Sequence, residues 1–494
     1  MSILNSYHYP KPAEEGLKLQ YVGKRLAQLP TPAAIIDIAA TRRNCEAMLA
    51  AIEDIGGLDF RPHVKTHKTS ELTELQINGY DRKRDRAAKL VVSTVAEIEH
   101  LLPWLLEKKR KGTLIDVLYG LPVSPSSLPR LAAMVNVLGL SSNISLLVDN
   151  PDCVDIIAKA KPSWPGVIEV FVKIDTGYHR AGVEPDSEPF WAVVRKLTQQ
   201  QDKIHLRGIY SHLGNSYDGD SVEDAVNGLK LELEKLHQAG KLLAGEISPV
   251  SNAFIYSVGA TPTATAVQNL AGDTPNARGF RHSLTAMRRE LENKGINLTI
   301  ELHAGVYPLL DLQQLATHAR PKNVNFYSLS SEPSHRYAGL SIANLGLYIL
   351  AEVASLYPHR AKPEGLIAAG TLALGREPCK AYPGWGIVSP WGDGDVAWHW
   401  NRNYENGKAK FYDLDLPEAD RTGWIVGRIS QEHGMLTWEG PPSEKRELKP
   451  GQKLLIWPNH ACIAGSGFGC YFIIDSDSAD STVVRDVWVR CRGW

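Results

Sequence analysis

Short apolar runs recur through the first half of the chain, and each is followed by a stretch where apolar residues return every three or four positions. The runs fall at 33–38, 58–65, 89–94, 114–118, 144–149, 168–175, 204–212 and 247–258. Helical periodicity occupies 44–55, 71–77, 96–108, 128–138, 154–159, 190–199 and 225–239. Strands that alternate with helices pair in parallel through βαβ crossovers. Eight of them predict an α/β fold with a closed, TIM-type (β/α)8 barrel rather than an open doubly wound sheet. Between about 264 and 296 the pattern gives way to charged sequence with Arg278, Arg281, Arg288, Arg289 and Glu290. This segment reads as an insertion, part helical, outside the barrel, and its positive patch as a solvated face. Past about residue 330, Gly, Pro and Trp become frequent and the apolar runs shorten, as at 345–353, 423–429 and 453–457. That predicts a mainly β second domain. The expected organisation is a lead-in over 1–29 packing on the C-terminal domain, a barrel over 30–330 and the β domain over 331–494.

Composition agrees with two domains. A chain of 494 residues exceeds what one core organises. Hydrophobic residues make up 43% and charged residues 22%, as in soluble globular proteins. The net charge of −1 gives no basic excess for nucleic acid and no solvating acidic arm. The opening Met1-Ser2-Ile3-Leu4-Asn5-Ser6-Tyr7-His8 has no secretory pattern, no apolar run is long enough for a membrane span, and Arg492-Gly493-Trp494 matches no targeting tail. Six scattered cysteines form no disulfide framework, so a reducing cytoplasm is expected.

Candidate chemistry starts at Pro62-His63-Val64-Lys65-Thr66-His67-Lys68, which closes the run at 58–65. Thr69-Ser70-Glu71-Leu72 then opens a helix with hydroxyl caps. A lysine at the carboxyl end of a barrel strand sits where such barrels keep their chemistry. It can form a Schiff base with a substrate carbonyl or with pyridoxal phosphate (PLP). Alone, a strand end rich in His and Lys reads equally well as a solvated loop. The segment resembles the PLP-lysine motif of the D-serine dehydratase and D-threonine aldolase family, fold-type III enzymes related to alanine racemase. The resemblance implies that Lys65 carries PLP, that a β domain follows the barrel, and that the protein is a homodimer.

Further segments fit the same resemblance. An arginine at a barrel mouth can grip a phenolate or carboxylate with its planar fork. Asp175-Thr176-Gly177-Tyr178-His179-Arg180-Ala181-Gly182 resembles the family turn that brings Arg180 near the phenolic oxygen of PLP. Two tyrosines and a histidine gather in Tyr210-Ser211-His212-Leu213-Gly214-Asn215-Ser216-Tyr217. By resemblance Tyr210 and Tyr217 touch the cofactor and His212 lies against its pyridine ring. Small residues with a hydroxyl can leave backbone N–H groups open to a phosphate. Ser257-Val258-Gly259-Ala260-Thr261-Pro262 is similar to the family phosphate loop, which makes Gly259, Ala260 and Thr261 candidates. Glu301-Leu302-His303-Ala304-Gly305-Val306-Tyr307, with Asp311 beyond it, resembles the segment at the domain hinge and offers Tyr307 as a pocket residue.

The reaction is read from Pro458-Asn459-His460-Ala461-Cys462. An extended chain would put imidazole and thiol on one face, and both are good zinc ligands. A lone His-x-Cys is usually coincidence, but this one resembles the zinc site of the family's dehydratases. The aldolases of the family carry His-x-Asp, which suits harder ions. The resemblance therefore implies zinc at His460 and Cys462, on the β domain, and PLP-dependent β-elimination from D-serine. Gln431-Glu432-His433-Gly434 also matches a family segment and would stand behind the ligands, whereas Ala368-Ala369-Gly370 replaces an acidic segment of some relatives. D-threonine aldolase chemistry is the alternative, and a PLP-binding protein without catalysis a further one. The expected partner is a small D-hydroxy amino acid, D-serine or D-threonine, with neither nucleic acid nor membrane.

Overall fold

Eight short parallel strands run round one sheet in the computed structural model, which describes residues 11–80, 86–139, 142–246, 253–322, 339–390, 404–405, 408–409 and 411–494. They are Leu58–Phe60, Ala88–Val92, Ile115–Pro122, Ser142–Val148, Ile168–Lys173, Ile204–Tyr210, Ala253–Val258 and Asn297–Leu302. The ring closes just beyond the first of them. Val64 N donates to the Val91 carbonyl at 3.1 Å, and Val91 N to the Pro62 carbonyl at 2.9 Å. Alternate residues point inward, and Val91, Leu118, Leu147, Phe171, Tyr210 and Ile255 form a buried layer apart from the main core. Their neighbours in sequence, such as Leu90, Val117 and Val172, pack in the main core with the surrounding helices.

Two expectations about the barrel are corrected. The run at 33–38 is strand Ala33–Asp37, but it belongs to the second sheet. It pairs antiparallel with Leu347–Tyr357 on one side and parallel with Cys470–Ile474 on the other. A buried apolar strand leading into a helix looks the same in sequence whichever sheet receives it. The eighth barrel strand is Asn297–Leu302, and the charged segment before it is no insertion. It contains helix Pro275–Glu292, which makes the last crossover of the barrel. Ala277, Phe280, Leu284 and Leu291 form its buried stripe, hidden in the sequence by arginines on the other faces. Arg281 is also engaged: it bonds Asp54 at 3.0 Å and the Ile55 carbonyl at 3.2 Å. The expected strand at 247–258 appears as Ala253–Val258, and residues 247–252 lie outside the described residues.

The second sheet has nine strands, and its hub is the eleven-residue Leu347–Tyr357. That strand pairs with Glu364–Ile367, Lys453–Pro458 and Ala33–Asp37. Following Glu364–Ile367 through Gly434–Glu439, Gly423–Ile429, Gly386–Val388 and Lys453–Pro458 returns to it, so six strands close a small antiparallel barrel. Ala33–Asp37, Cys470–Ile474 and Asp486–Val489 extend from the hub. The described part of the lead-in packs here: Gly23 N donates to the Val484 carbonyl and Leu26 N to that of Thr482, each at 2.9 Å. Residues 1–10 lie outside the described residues.

Candidate active site

Residues that alternate along a strand continue beyond its end, and this lifts them to the barrel mouth. Arg61, His63 and Lys65 rise in this way from the first strand. Arg61 is fully buried and donates to Glu301 at 2.6 Å and Asp116 at 2.9 Å. His63 Nδ1 accepts the backbone N–H of Lys65 at 3.3 Å, and its Nε2 is 3.2 Å from Ser93 Oγ. Lys65, in the turn above, lines a cavity of about 490 Å³. Lys68 is engaged elsewhere, with Nζ 2.9 Å from Glu97. His67 is a buried strut between Thr69 Oγ1 at 3.1 Å and Gln76 Oε1 at 2.9 Å, and burial holds it down to about 3.

The turn after Ile168–Lys173 is shaped by Asp175, whose Oδ1 accepts from Gly177 N at 2.9 Å and His179 N at 3.1 Å. It presents Arg180 to the cavity, with Cζ 5.1 Å from the Tyr178 ring centre. His212, Tyr217, Gly259, Ala260 and Thr261 share the same wall. His212 Nδ1 reaches the Gly259 carbonyl at 3.0 Å, which fixes its ring. Gly259 has φ of +144°, and an added Cβ would meet the His303 carbonyl at 2.4 Å. Only glycine fits there. The amide of Ala260 differs from expectation. It already donates to Thr263 Oγ1 at 2.9 Å.

Two expected residues stand away from the wall. Tyr210, in the buried inward layer of the barrel, is stacked 4.2 Å from His303 at an interplanar angle of 7°. It lies under the site rather than on it, because it is the last residue of its strand and His212 is the next inward position. Tyr307 follows Val306, which does line the cavity. Its ring is buried in the core, edge-on to Phe60 with centres 5.6 Å apart. Sequence reasoning missed His303, a cavity residue held by Ser257 Oγ at 3.1 Å from its Nδ1. The same alternation signals it, since Glu301 faces Arg61 in the bore and His303 comes two residues later. Burial, aided by the charge of Lys65 among other cations, holds His63, His212 and His303 well below the usual imidazole range. They are neutral near pH 7.

His460 and Cys462 reach the cavity from the second domain. They are not on an extended strand, as the spacing had suggested. Lys453–Pro458 has ended, His460 is the N-cap of helix Ala461–Ser466, and Cys462 lies in its first turn. Asp311 sets this turn: Oδ2 accepts from Ala461 N at 2.8 Å and Oδ1 from Gln314 N at 2.9 Å. Cys462 Sγ lies 3.1 Å from Thr66 Oγ1, next to the lysine turn. Burial depresses His460, but Cys462, Asp311 and Glu377 outweigh it and hold the imidazole up to about 9. Burial raises Cys462, and the bond to His460 outweighs it and pulls the thiol below its usual range. His460 Nδ1 is buried without a hydrogen-bond partner. An unpartnered ring nitrogen beside a readily ionised sulfur suits zinc. Among the described residues, no third His, Cys, Asp or Glu joins this pair in a metal-sized group; the one such group is Asp175 with the exposed His179 and Glu184.

A parallel barrel with a lysine at its mouth and an antiparallel β domain beside it define the alanine racemase-like class of fold. The alanine racemase N-terminal domain family matches residues 36–273, and the family described as "Putative serine dehydratase domain" matches residues 346–474. The D-serine dehydratase of Schizosaccharomyces pombe is 34% identical over 99% of this chain and 98% of its own length. That of Saccharomyces cerevisiae is 29% identical over 96% of this chain and 99% of its own. The solved D-threo-3-hydroxyaspartate dehydratase of Delftia sp. HT23 superposes with a TM-score of 0.64 at 25% identity, covering 95% of this chain and all of that one. The chain belongs to the D-serine dehydratase family.

Proposed function

We propose that the chain is a PLP- and zinc-dependent lyase that converts D-serine to pyruvate and ammonia. The observation that carries this reading is the meeting of Lys65, from the barrel, and His460 with Cys462, from the β domain, on one cavity. PLP bound there supplies an electron sink for the charge left at Cα, and zinc held by His460 and Cys462 a Lewis acid for the β-hydroxyl, a poor leaving group. Lys65 would hold the cofactor, and its Nζ, which faces the cavity, would be the base that accepts the Cα proton. His212, its ring fixed by the Gly259 carbonyl, would contact the cofactor from the cavity wall. Gly259 and Thr261 leave a close backbone approach for the phosphate, and Arg180 brings positive charge to the mouth. The neutral His63 and His303 add no competing cation beside Lys65. Pyruvate forms when the eliminated enamine product hydrolyses.

A homodimer in the cytoplasm completes the reading. Leu372 and Ile463 lie exposed on the neighbouring helices Thr371–Leu374 and Ala461–Ser466, beside the metal pair, and offer an apolar contact. All six cysteines are unpaired, as a reducing compartment keeps them. The test is to incubate the purified protein with D-serine and D-threonine and assay pyruvate, glycine and acetaldehyde. Pyruvate from D-serine is expected. Glycine and acetaldehyde as the main products would make it an aldolase. Chelation should stop pyruvate formation while PLP stays bound, and undiminished pyruvate from metal-free protein would remove zinc from the reading. Light scattering should find a dimer, and a fully active monomer would contradict that part.

A further inference from the structure

Helix Val222–Glu246 buries one carboxylate completely, that of Glu232. Among the described residues it forms no ion pair, yet both oxygens are used. Oε1 accepts from Leu213 N at 2.8 Å and Ser211 Oγ at 3.0 Å. Oε2 accepts from Thr263 Oγ1 at 2.9 Å, and Thr263 Oγ1 in turn accepts from Ala260 N at 2.9 Å. A buried carboxylate is costly unless such bonds satisfy it. The bonds reach two different turns: Ser211 and Leu213 flank His212, while Ala260 and Thr263 bracket Thr261. These turns follow neighbouring strands, which pair from Gly208 with Ile255 to Tyr210 with Ser257. Nothing in the proposed chemistry uses Glu232, which does not line the cavity.

We propose that Glu232 is a positioning residue that clamps the turn carrying His212 to the turn at Gly259–Thr261, and so fixes the distance between the ring and phosphate contacts of one bound PLP. The inference rests on the PLP reading above. The helix supplies a rigid post behind both turns, and its carboxylate bonds to each, behind the direct bond from His212 Nδ1 to the Gly259 carbonyl. A first-contact residue held loosely by its support loses function through small displacements. The clamp explains why the Ala260 amide faces Thr263 rather than the cavity: it is part of the support. Burial pushes Glu232 up to about 7, while the bonds from Thr263, Ser211 and Leu213 pull against it. That balance fits a group held for geometry and not for charge.

The test compares PLP with pyridoxal, which lacks the phosphate, binding to wild-type protein and to Glu232→Gln, Glu232→Ala and Thr263→Val, read by absorbance and by melting temperature. Thr263→Val keeps the side-chain shape but cuts the link to the phosphate turn alone. Glu232→Ala and Thr263→Val should weaken PLP by roughly tenfold or more, the scale of leaving buried donors unsatisfied. Pyridoxal should weaken much less with Thr263→Val, because only the phosphate turn is released. Glu232→Gln keeps the shape and one acceptor, so its loss should be intermediate. If Glu232→Ala does not fold, the other two variants decide the matter. Unchanged PLP affinity in variants that merely melt lower would overturn the clamp while leaving the function intact. Equal losses for PLP and pyridoxal with Thr263→Val would also overturn it. A wild-type protein that binds no PLP would instead remove the reading on which the clamp rests.

Discussion

At the scale of residues, the two lysines of the opening motif separate cleanly. Lys65 faces the cavity and Lys68 faces Glu97, so borohydride should fix PLP covalently on Lys65, as peptide mapping would read. Lys65→Ala should abolish turnover and leave the melting temperature nearly unchanged. Lys68→Ala should keep labelling at Lys65 but cost on the order of 3 kcal/mol, because it leaves the buried Glu97 carboxylate without its cation. Labelling on Lys68 would reverse the assignment. A third lysine carries a pH signature. Lys173 is buried over the Tyr210 ring, 4.8 Å from its centre, and burial, with Arg180 nearby, holds it down to about 8. Between about 8 and its ordinary 10.5 the unfolded chain keeps a proton that the folded chain has released, so stability rises with pH there. Below about 8 the buried ammonium imposes its full cost, on the order of 3 kcal/mol for such a shift. Lys173→Met should therefore unfold at higher urea than wild type at pH 7, and the gap should close toward pH 10. An equal gap at both pH values would contradict this.

At the scale of elements, the motif residues were legible because chemistry is written locally, while pairing is not. Lys65, Arg180, His212 and the His460–Cys462 pair could be picked out from short segments, and all reach one cavity. Ala33–Asp37 was recognised as a strand but given to the wrong sheet, since its partner Leu347–Tyr357 lies some three hundred residues away in sequence. Helix Pro275–Glu292 was obscured by its charge. Tyr210 and Tyr307 were misplaced for a simpler reason: a motif names a residue without saying which side of the chain it takes. The turn at Gly259 gives the sharpest test of element geometry. Gly259→Ala puts a Cβ against the His303 carbonyl in a backbone region that side chains avoid. The expected cost is about 1–3 kcal/mol of strain, with His303 and the phosphate turn pushed apart. Denaturant unfolding would read the first effect and PLP retention on dialysis the second. A variant as stable and as well loaded as wild type would show that the turn relaxes freely.

At the scale of the molecule, the chain crosses between its two sheets before the barrel begins. Ala33–Asp37, buried along its length, sits between Leu347–Tyr357 and Cys470–Ile474. Asp37 strengthens the join, because its Oδ1 accepts both Ala39 N at 3.1 Å, capping helix Ile38–Ile55, and Ser476 N at 3.0 Å. The second domain is therefore incomplete in its own sequence. A fragment of residues 331–494 lacks this strand, which leaves the edge of Leu347–Tyr357 open and Cys470–Ile474 without a neighbour on one side. Made alone, it should aggregate or be digested quickly. Made together with residues 1–330, it should copurify through a tag on either piece and recover PLP loading, because the cavity has walls from both. Ile35→Asp in the longer piece places an unpaired carboxylate in a fully buried strand, a cost of several kcal/mol. It should abolish copurification while the barrel keeps its helical circular dichroism. A 331–494 fragment that unfolds cooperatively by itself would show that the borrowed strand is dispensable and that the two sheets fold as independent units.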